Sequence, residues 1–232
     1  MWLIQREEQP MKKARTTQDG ARIYTRWILA CYDLLIYRVL SPHVWRCDPQ
    51  HFLDLYNRHM SDNHADVGVG TGYFLNQCLY EPGEVRIGLF DLQPNCLAFT
   101  AQRLARFQPE TFECNALESI PFAGRGFDSI ALGGILHCIP GNFAQKARLF
   151  DAIKPLMKPA SQLFGYTILN RGISKTLLSR FVYFLLYQLK VINGAEDSAS
   201  QLHAELTKRF KRVNTHIIGH IALFNASEPL SR

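Results

Sequence analysis

At 232 residues with 47% hydrophobic side chains, the chain is long enough to bury the core of one α/β domain, which excludes the fibrous and disordered classes. Its formal net charge of +6 comes largely from Lys12-Lys13-Ala14-Arg15 and Lys208-Arg209-Phe210-Lys211-Arg212, clusters that read first as solvated surface and second as an RNA contact. Six cysteines without a C-x-x-C pair suggest neither a zinc site nor a disulfide framework, so free thiols, no metal and a cytoplasmic protein are expected.

Residues 1–20 are polar and broken by Gln9-Pro10 and Asp19-Gly20, which predicts a loosely held arm, and they lack the pattern of a secretory signal. From Ile23 to Leu40 the sequence is helical and apolar on nearly every side, so the body of the protein or a bound substrate must cover it. Asp33 within that run calls for a hydrogen-bond partner, because an unpaired buried carboxylate is costly. A short helix is predicted over Pro49–His59, completing a helical segment over 21–60.

Beyond residue 60 apolar β segments and helices alternate. Strands are predicted near His64–Val67, Val85–Leu89, Thr111–Cys114, Phe127–Leu132 and Gln162–Ile168, with helices from Tyr73, over Pro94–Phe107 and over Phe143–Met157. The order predicts an α/β, doubly wound, Rossmann-like parallel sheet, whose ligands gather at the carboxyl ends of strands. Ser174–Val191 is a second apolar helix, able to line a pocket, touch a membrane surface or pack; packing with partial pocket lining is expected. A helix over Ala199–Phe210 and a hairpin over Val213–Phe224 follow. Asp33 interrupts the first apolar run, and Arg180 and Lys190 bound the second, so no membrane span is predicted.

The stretch Asp66-Val67-Gly68-Val69-Gly70-Thr71-Gly72 carries the most chemistry. Glycines at alternate positions after a strand let the backbone turn with positive φ and approach a ligand, while the helix beginning at Tyr73 offers its amino end. A dinucleotide fingerprint would need a third glycine at Tyr73, and a P-loop would need Gly-Lys-Ser/Thr; neither fits.

The Asp-x-Gly-x-Gly-x-Gly loop resembles that of class I S-adenosylmethionine-dependent methyltransferases, and the resemblance runs from about residue 60 to residue 170. Val85-Arg86-Ile87-Gly88-Leu89-Phe90-Asp91 matches the second strand with its closing acid, Glu113-Cys114-Asn115-Ala116-Leu117 the third strand end, and Phe127 to Pro140 the fourth strand and following loop. The resemblance implies a seven-stranded sheet with an antiparallel last strand. It further implies S-adenosylmethionine bound by Asp66, Gly68, Gly70, Thr71, Gly72, Asp91, Leu92, Asn115, Ala116, Leu132 and Gly133. In that picture Asp66 orders the loop and approaches the methionine amino group, and Asp91 accepts the ribose hydroxyls. Residues 61–232 form the catalytic domain, with a helical insertion over 170–210 beside the acceptor. The 21–60 segment is the expected lid, contributing Tyr24 and Tyr32.

His137, in the loop after the fourth strand, is the candidate general base or substrate-orienting group. The expected partner is a small, fairly apolar acceptor methylated at oxygen or nitrogen. An RNA methyltransferase is the second reading, although Leu132-Gly133-Gly134 lacks the Asn/Asp-Pro-Pro-aromatic motif of base methylation. A cofactor-binding protein without transfer chemistry is the third. No pattern in the sequence speaks to oligomeric state.

Overall fold

The computed structural model describes residues 26–80, 83–118, 120 and 122–230; the predicted arm, Tyr24 and the start of the first helix lie outside them. The described residues form a seven-stranded sheet of order β3-β2-β1-β4-β5-β7-β6. The strands are β1 (Asn63–Val67), β2 (Arg86–Asp91), β3 (Glu110–Glu113), β4 (Phe127–Gly133), β5 (Met157–Ile168), β6 (Phe210–Ile218) and β7 (Ile221–Pro229). The first five run parallel, and β7 is antiparallel to both β5 and β6. The chain steps outward from β1 to β3 and then returns to the other side of β1 with β4, which opens a crevice at the carboxyl ends of these two strands.

The central strands are buried on both faces, as parallel strands under helices must be: β1 is buried over its last four residues and β2 over its middle four. Helices α1 (Arg26–Asp33), α2 (Gln50–His59), α3 (Tyr73–Gln77), α4 (Pro94–Arg103), α5 (Phe143–Lys146), α6 (Arg148–Ala152), α7 (Leu177–Gln188) and α8 (Ala199–Thr207) accompany the sheet. Phe52 and Tyr56 lie one turn apart on α2, so one buried helix face brings both side chains over the sheet, where the Phe52 ring centroid sits 4.2 Å from that of Tyr166 on β5.

Four expectations are corrected. The helix ending at Leu40 is not one α-helix: after Asp33 it continues as a π-helix over Leu34–Leu40. The helix over 143–157 is broken into α5, α6 and a 3-10 turn over Lys154–Leu156, because Pro155 lacks an N–H and disfavours α geometry at the residue before it. Strand β5 consequently begins at Met157 rather than Gln162. The second apolar helix packs through one face only, with Val182, Leu186 and Tyr187 beside buried Tyr183, and within Leu177–Gln188 it contributes nothing to the lining of the cavity in that crevice. On α7 only Ser179 and Tyr183 are buried, while Phe181 and Phe184 are 64% and 61% exposed.

Candidate active site

A cavity enclosing about 1430 Å³ of space, its outer part open to solvent, occupies the crevice outside β1 and β4. Of the residues named from the sequence, Asp66, Gly68, Gly70, Thr71, Gly72, Asp91, Leu92, Asn115, Ala116, Gly133, Tyr32 and His137 line this cavity. Leu132 does not: it is fully buried within the sheet core, and the chain reaches the cavity only one residue later at Gly133.

The loop after β1 is built for close approach. Gly68 donates its N–H to Phe90 O at 2.8 Å and has φ +79°, and a Cβ there would meet Ile135 Cβ at 2.8 Å. Gly70 has φ +53°, yet a Cβ there would meet nothing within 4 Å, because it would project into open space. Gly68→Ala is therefore expected to destabilise the fold by about 3 kcal/mol, from strain plus overpacking. Gly70→Ala should cost only about 1 kcal/mol in the fold but place a methyl group where a ligand would lie. Urea unfolding alongside calorimetric titration with S-adenosylmethionine separates the two effects; equal stability of the variants would refute the assignment.

Thr71 lines the cavity with its hydroxyl committed elsewhere: Oγ1 donates to Asp33 Oδ1 at 2.5 Å. Arg103 completes the clamp, pairing with Asp33 Oδ2 at 2.7 Å and donating to Thr71 O at 2.8 Å. Asp33 thus has the hydrogen-bonded structural role expected of it and ties the end of α1 to the glycine loop. The Asn115 side chain is likewise spent on its own turn, accepting from Leu117 N–H at 3.1 Å and donating to Glu118 Oε1 at 2.8 Å. An asparagine in such a turn bonds its own backbone, which leaves the peptide groups of this segment as the part facing a ligand.

Two carboxylates set the electrostatics. Asp66, buried at the end of β1, accepts from Tyr56 OH at 3.0 Å and is pushed up to about 7 by burial, with the Asp91 charge adding to the shift. Asp91, partly buried at the end of β2, lines the cavity, and burial pushes it up to about 6, opposed by the backbone N–H groups of Gln93, Gly70, Val69 and Leu92. No Lys or Arg lines the cavity among the described residues. Two acids at the bottom of a site without a cation suit a positively charged ligand.

His137 is held neutral. Its Nδ1 accepts the Ile168 N–H at 3.4 Å, its carbonyl accepts Asn193 N–H at 2.7 Å, and burial, with help from the Lys146 charge, pushes its pKa down to about 3. An imidazole with Nδ1 accepting carries its hydrogen on Nε2, so it offers a donor and no free lone pair.

Sequence reasoning missed Tyr37, Tyr56, Tyr166 and Trp45, which also line the cavity. The Tyr37 and Tyr166 hydroxyls lie 3.4 Å apart although 129 positions separate them in the chain. The sequence predicts the helix over Pro49–His59, but not that Phe52 and Tyr56, four positions apart on it, border the site.

The sheet order, the glycine cradle and the acids at successive strand ends define a Rossmann-like enzyme that handles a nucleotide-type cofactor. A family model described as a methyltransferase domain matches residues 65–163. The chain is 32% identical to demethylluteothin O-methyltransferase of Streptomyces thioluteus over 90% of each chain. It is 31% identical to the physcion biosynthesis cluster O-methyltransferase of Aspergillus chevalieri, over 94% of this chain and 99% of that one. Among solved structures, mitomycin 7-O-methyltransferase has the same fold with a TM-score of 0.64 at 20% identity, over 92% of this chain and 61% of that one. The chain belongs to the S-adenosylmethionine-dependent methyltransferases and is an enzyme of that class.

Proposed function

We propose that this enzyme binds S-adenosylmethionine in the cavity and methylates a hydroxyl oxygen of a small, largely apolar metabolite that ionises readily. The observation that carries this reading is the neutral His137, its Nδ1 taken by Ile168 N–H, in a cavity also lined by Ile36, Trp45, Tyr166, Val191 and Ile221. The relatives named above, both O-methyltransferases of small molecules, support it. The absence of Lys and Arg from the cavity lining of the described residues gives no grip for a phosphate backbone and weighs against RNA.

The residues present fit the cofactor. Asp91 would accept its ribose hydroxyls, Asp66 would face its cationic amino-acid end, and the open backbone at Gly70 and the peptide groups of Asn115 and Ala116 would flank it. When bound, S-adenosylmethionine supplies an electrophilic methyl group on a sulfonium centre. The protein's share is positioning and exclusion of water, with Tyr32 and the π-helix closing the cavity from the amino-terminal side. His137 points a donor at the acceptor oxygen, which orients it and stabilises its negative charge. Because its Nδ1 is occupied, His137 takes no proton from the acceptor, which favours hydroxyls acidic enough to ionise without it, phenols and enols, over aliphatic alcohols.

Methyl transfer from labelled cofactor to a panel of phenols, enols, alcohols and amines tests the reading. Phenols and enols are expected to dominate. His137→Phe should lose about 100-fold in kcat/KM, as removal of a charge-stabilising donor does, and His137→Gln should retain most of the activity. The pH profile should follow the acceptor's own ionisation. A loss on His137→Gln equal to that of His137→Phe, with disappearance of an enzyme titration near neutrality, would instead make His137 a base.

A further inference from the structure

Exposed apolar side chains are concentrated in two places. Nine of the eleven large hydrophobic residues exposed among the described residues lie in the π-helix or in α7 and the residue after it, including Leu34 at 62%, Leu177 at 84%, Phe181 at 64% and Phe184 at 61%. On α7 they recur every three to four positions and form one stripe. The segment just after the π-helix meets α7, where Ser179 Oγ donates to Val44 O at 3.2 Å, and the inward sides of both helices belong to one apolar cluster. The π-helix borders the cavity through Ile36 and Tyr37, and the chain reaches it again at Val191, three residues beyond the end of α7.

Within the two segments that carry the face the charge has one sign, and the carboxylates at their ends are engaged: Asp33 with Thr71 and Arg103, Asp48 with the Gln50 N–H, and Glu196 with Arg171. Residues 34–47 contain Arg38 and Arg46 and no carboxylate, and residues 174–195 contain Lys175, Arg180 and Lys190 and no carboxylate. A second copy docked through a twofold contact would set these cations against themselves. Residues 1–25, with five basic and three acidic side chains, carry the same sign. An anionic partner with an apolar interior satisfies both features. We propose that the joined face of α7 and the π-helix docks on an acidic phospholipid membrane surface, with its apolar side chains at the headgroup boundary and its cations on the lipid phosphates. No helix of the described residues is long and apolar enough to cross a membrane, so the contact is superficial. The cavity mouth then opens beside lipid, and an apolar acceptor passes from the bilayer to the site without crossing water.

Co-sedimentation of the full chain with phosphatidylcholine vesicles, with and without about 30% phosphatidylserine, reads the proposal directly. Wild type is expected to partition at least about 10-fold better onto the acidic vesicles and to be released by salt. Leu178→Ser/Phe181→Ser/Phe184→Ser/Leu185→Ser should lose that partition with an unchanged circular dichroism spectrum, and Arg38→Gln/Arg180→Gln should lose the preference for acidic lipid. If the fourfold variant fails to fold, Phe181→Ser/Leu185→Ser makes the same comparison. No partition of wild type, or equal partition of the serine variant, overturns the proposal. So does a wild-type dimer that the serine changes dissolve while vesicles bind neither form, since a second copy then covers the face.

Discussion

Asp91→Asn is expected to weaken S-adenosylmethionine binding by about 100-fold while raising the melting temperature of the ligand-free protein. A carboxylate accepting hydroxyl groups makes hydrogen bonds worth about 1.5–3 kcal/mol each, and a loss of about 2.7 kcal/mol is a factor of 100 in affinity. In the free protein the same charge is a burden. Burial pushes Asp91 up to about 6 and Asp66 up to about 7, and the Asp91 charge is part of what raises Asp66. Asparagine keeps an oxygen for the Gln93 N–H, which lies 2.8 Å from Asp91 Oδ1, and carries no charge. The pH dependence has a defined sign. Both folded values lie above the ordinary carboxylate value of 3.8, so their contribution to stability is complete below about pH 4 and is lost as the pH rises through 6 and then 7. Since the two acids interact, they titrate as a pair. Melting temperature should therefore fall from pH 4 to pH 8 in the free wild type and fall less in Asp91→Asn and Asp66→Asn. Calorimetric titration with cofactor and thermal melts across that range check both halves. Binding within threefold of wild type, or a lower melting temperature for Asp91→Asn at pH 8, would contradict the assignment.

The cofactor half of the site was legible because its chemistry is written in contiguous residues. The glycines at 68, 70 and 72 and the acids at 66 and 91 sit at strand ends, and an apolar run closed by an acid marks such an end wherever the sheet is parallel. The acceptor half is assembled from side chains far apart in the sequence. Tyr37, Tyr56 and Tyr166 meet only after α2 and the π-helix dock over β5, and no local pattern reports that docking. The same holds for the Thr71 hydroxyl, whose partner Asp33 lies 38 positions away. Periodicity located α7 correctly but could not say which face is covered, because hydrophobicity on all sides fits a buried helix and a half-exposed one alike. Leu132 was named together with Gly133, but β4 is buried on both faces and meets the cavity only at its carboxyl end, so Leu132 stays in the core while Gly133 lines the site.

Asp197→Ala is expected to destabilise the protein by about 3–5 kcal/mol, the cost of leaving one member of a buried ion pair alone. Lys146 on α5 is fully buried, and its Nζ lies 2.5 Å from Asp197 Oδ2. Burial pulls the lysine's pKa down and the aspartate's up, and each holds the other charged against that pull. The pair does more than join α5 to the segment before α8. The Asp197 carbonyl accepts the N–H groups of Asn170 and Arg171 just beyond β5, and the same segment supplies Asn193, whose N–H and side-chain amide bond the carbonyls of His137 and Cys138. Lys146 and Asp197 therefore brace the loop that carries His137, and losing the brace should lower kcat/KM beyond the loss of folded protein. Lys146→Met is expected to destabilise less than Asp197→Ala, because a lone buried aspartate escapes its penalty by taking up a proton at neutral pH more easily than a lysine with a higher ordinary pKa gives one up. The double variant Lys146→Met/Asp197→Leu removes both charges at similar volume and should recover at least about 2 kcal/mol relative to the sum of the single changes. Urea unfolding of the three variants measures the coupling. An Asp197→Ala protein within 1 kcal/mol of wild type, with full activity at saturating substrate, would show that the lysine finds another partner and that the loop holds His137 without the pair.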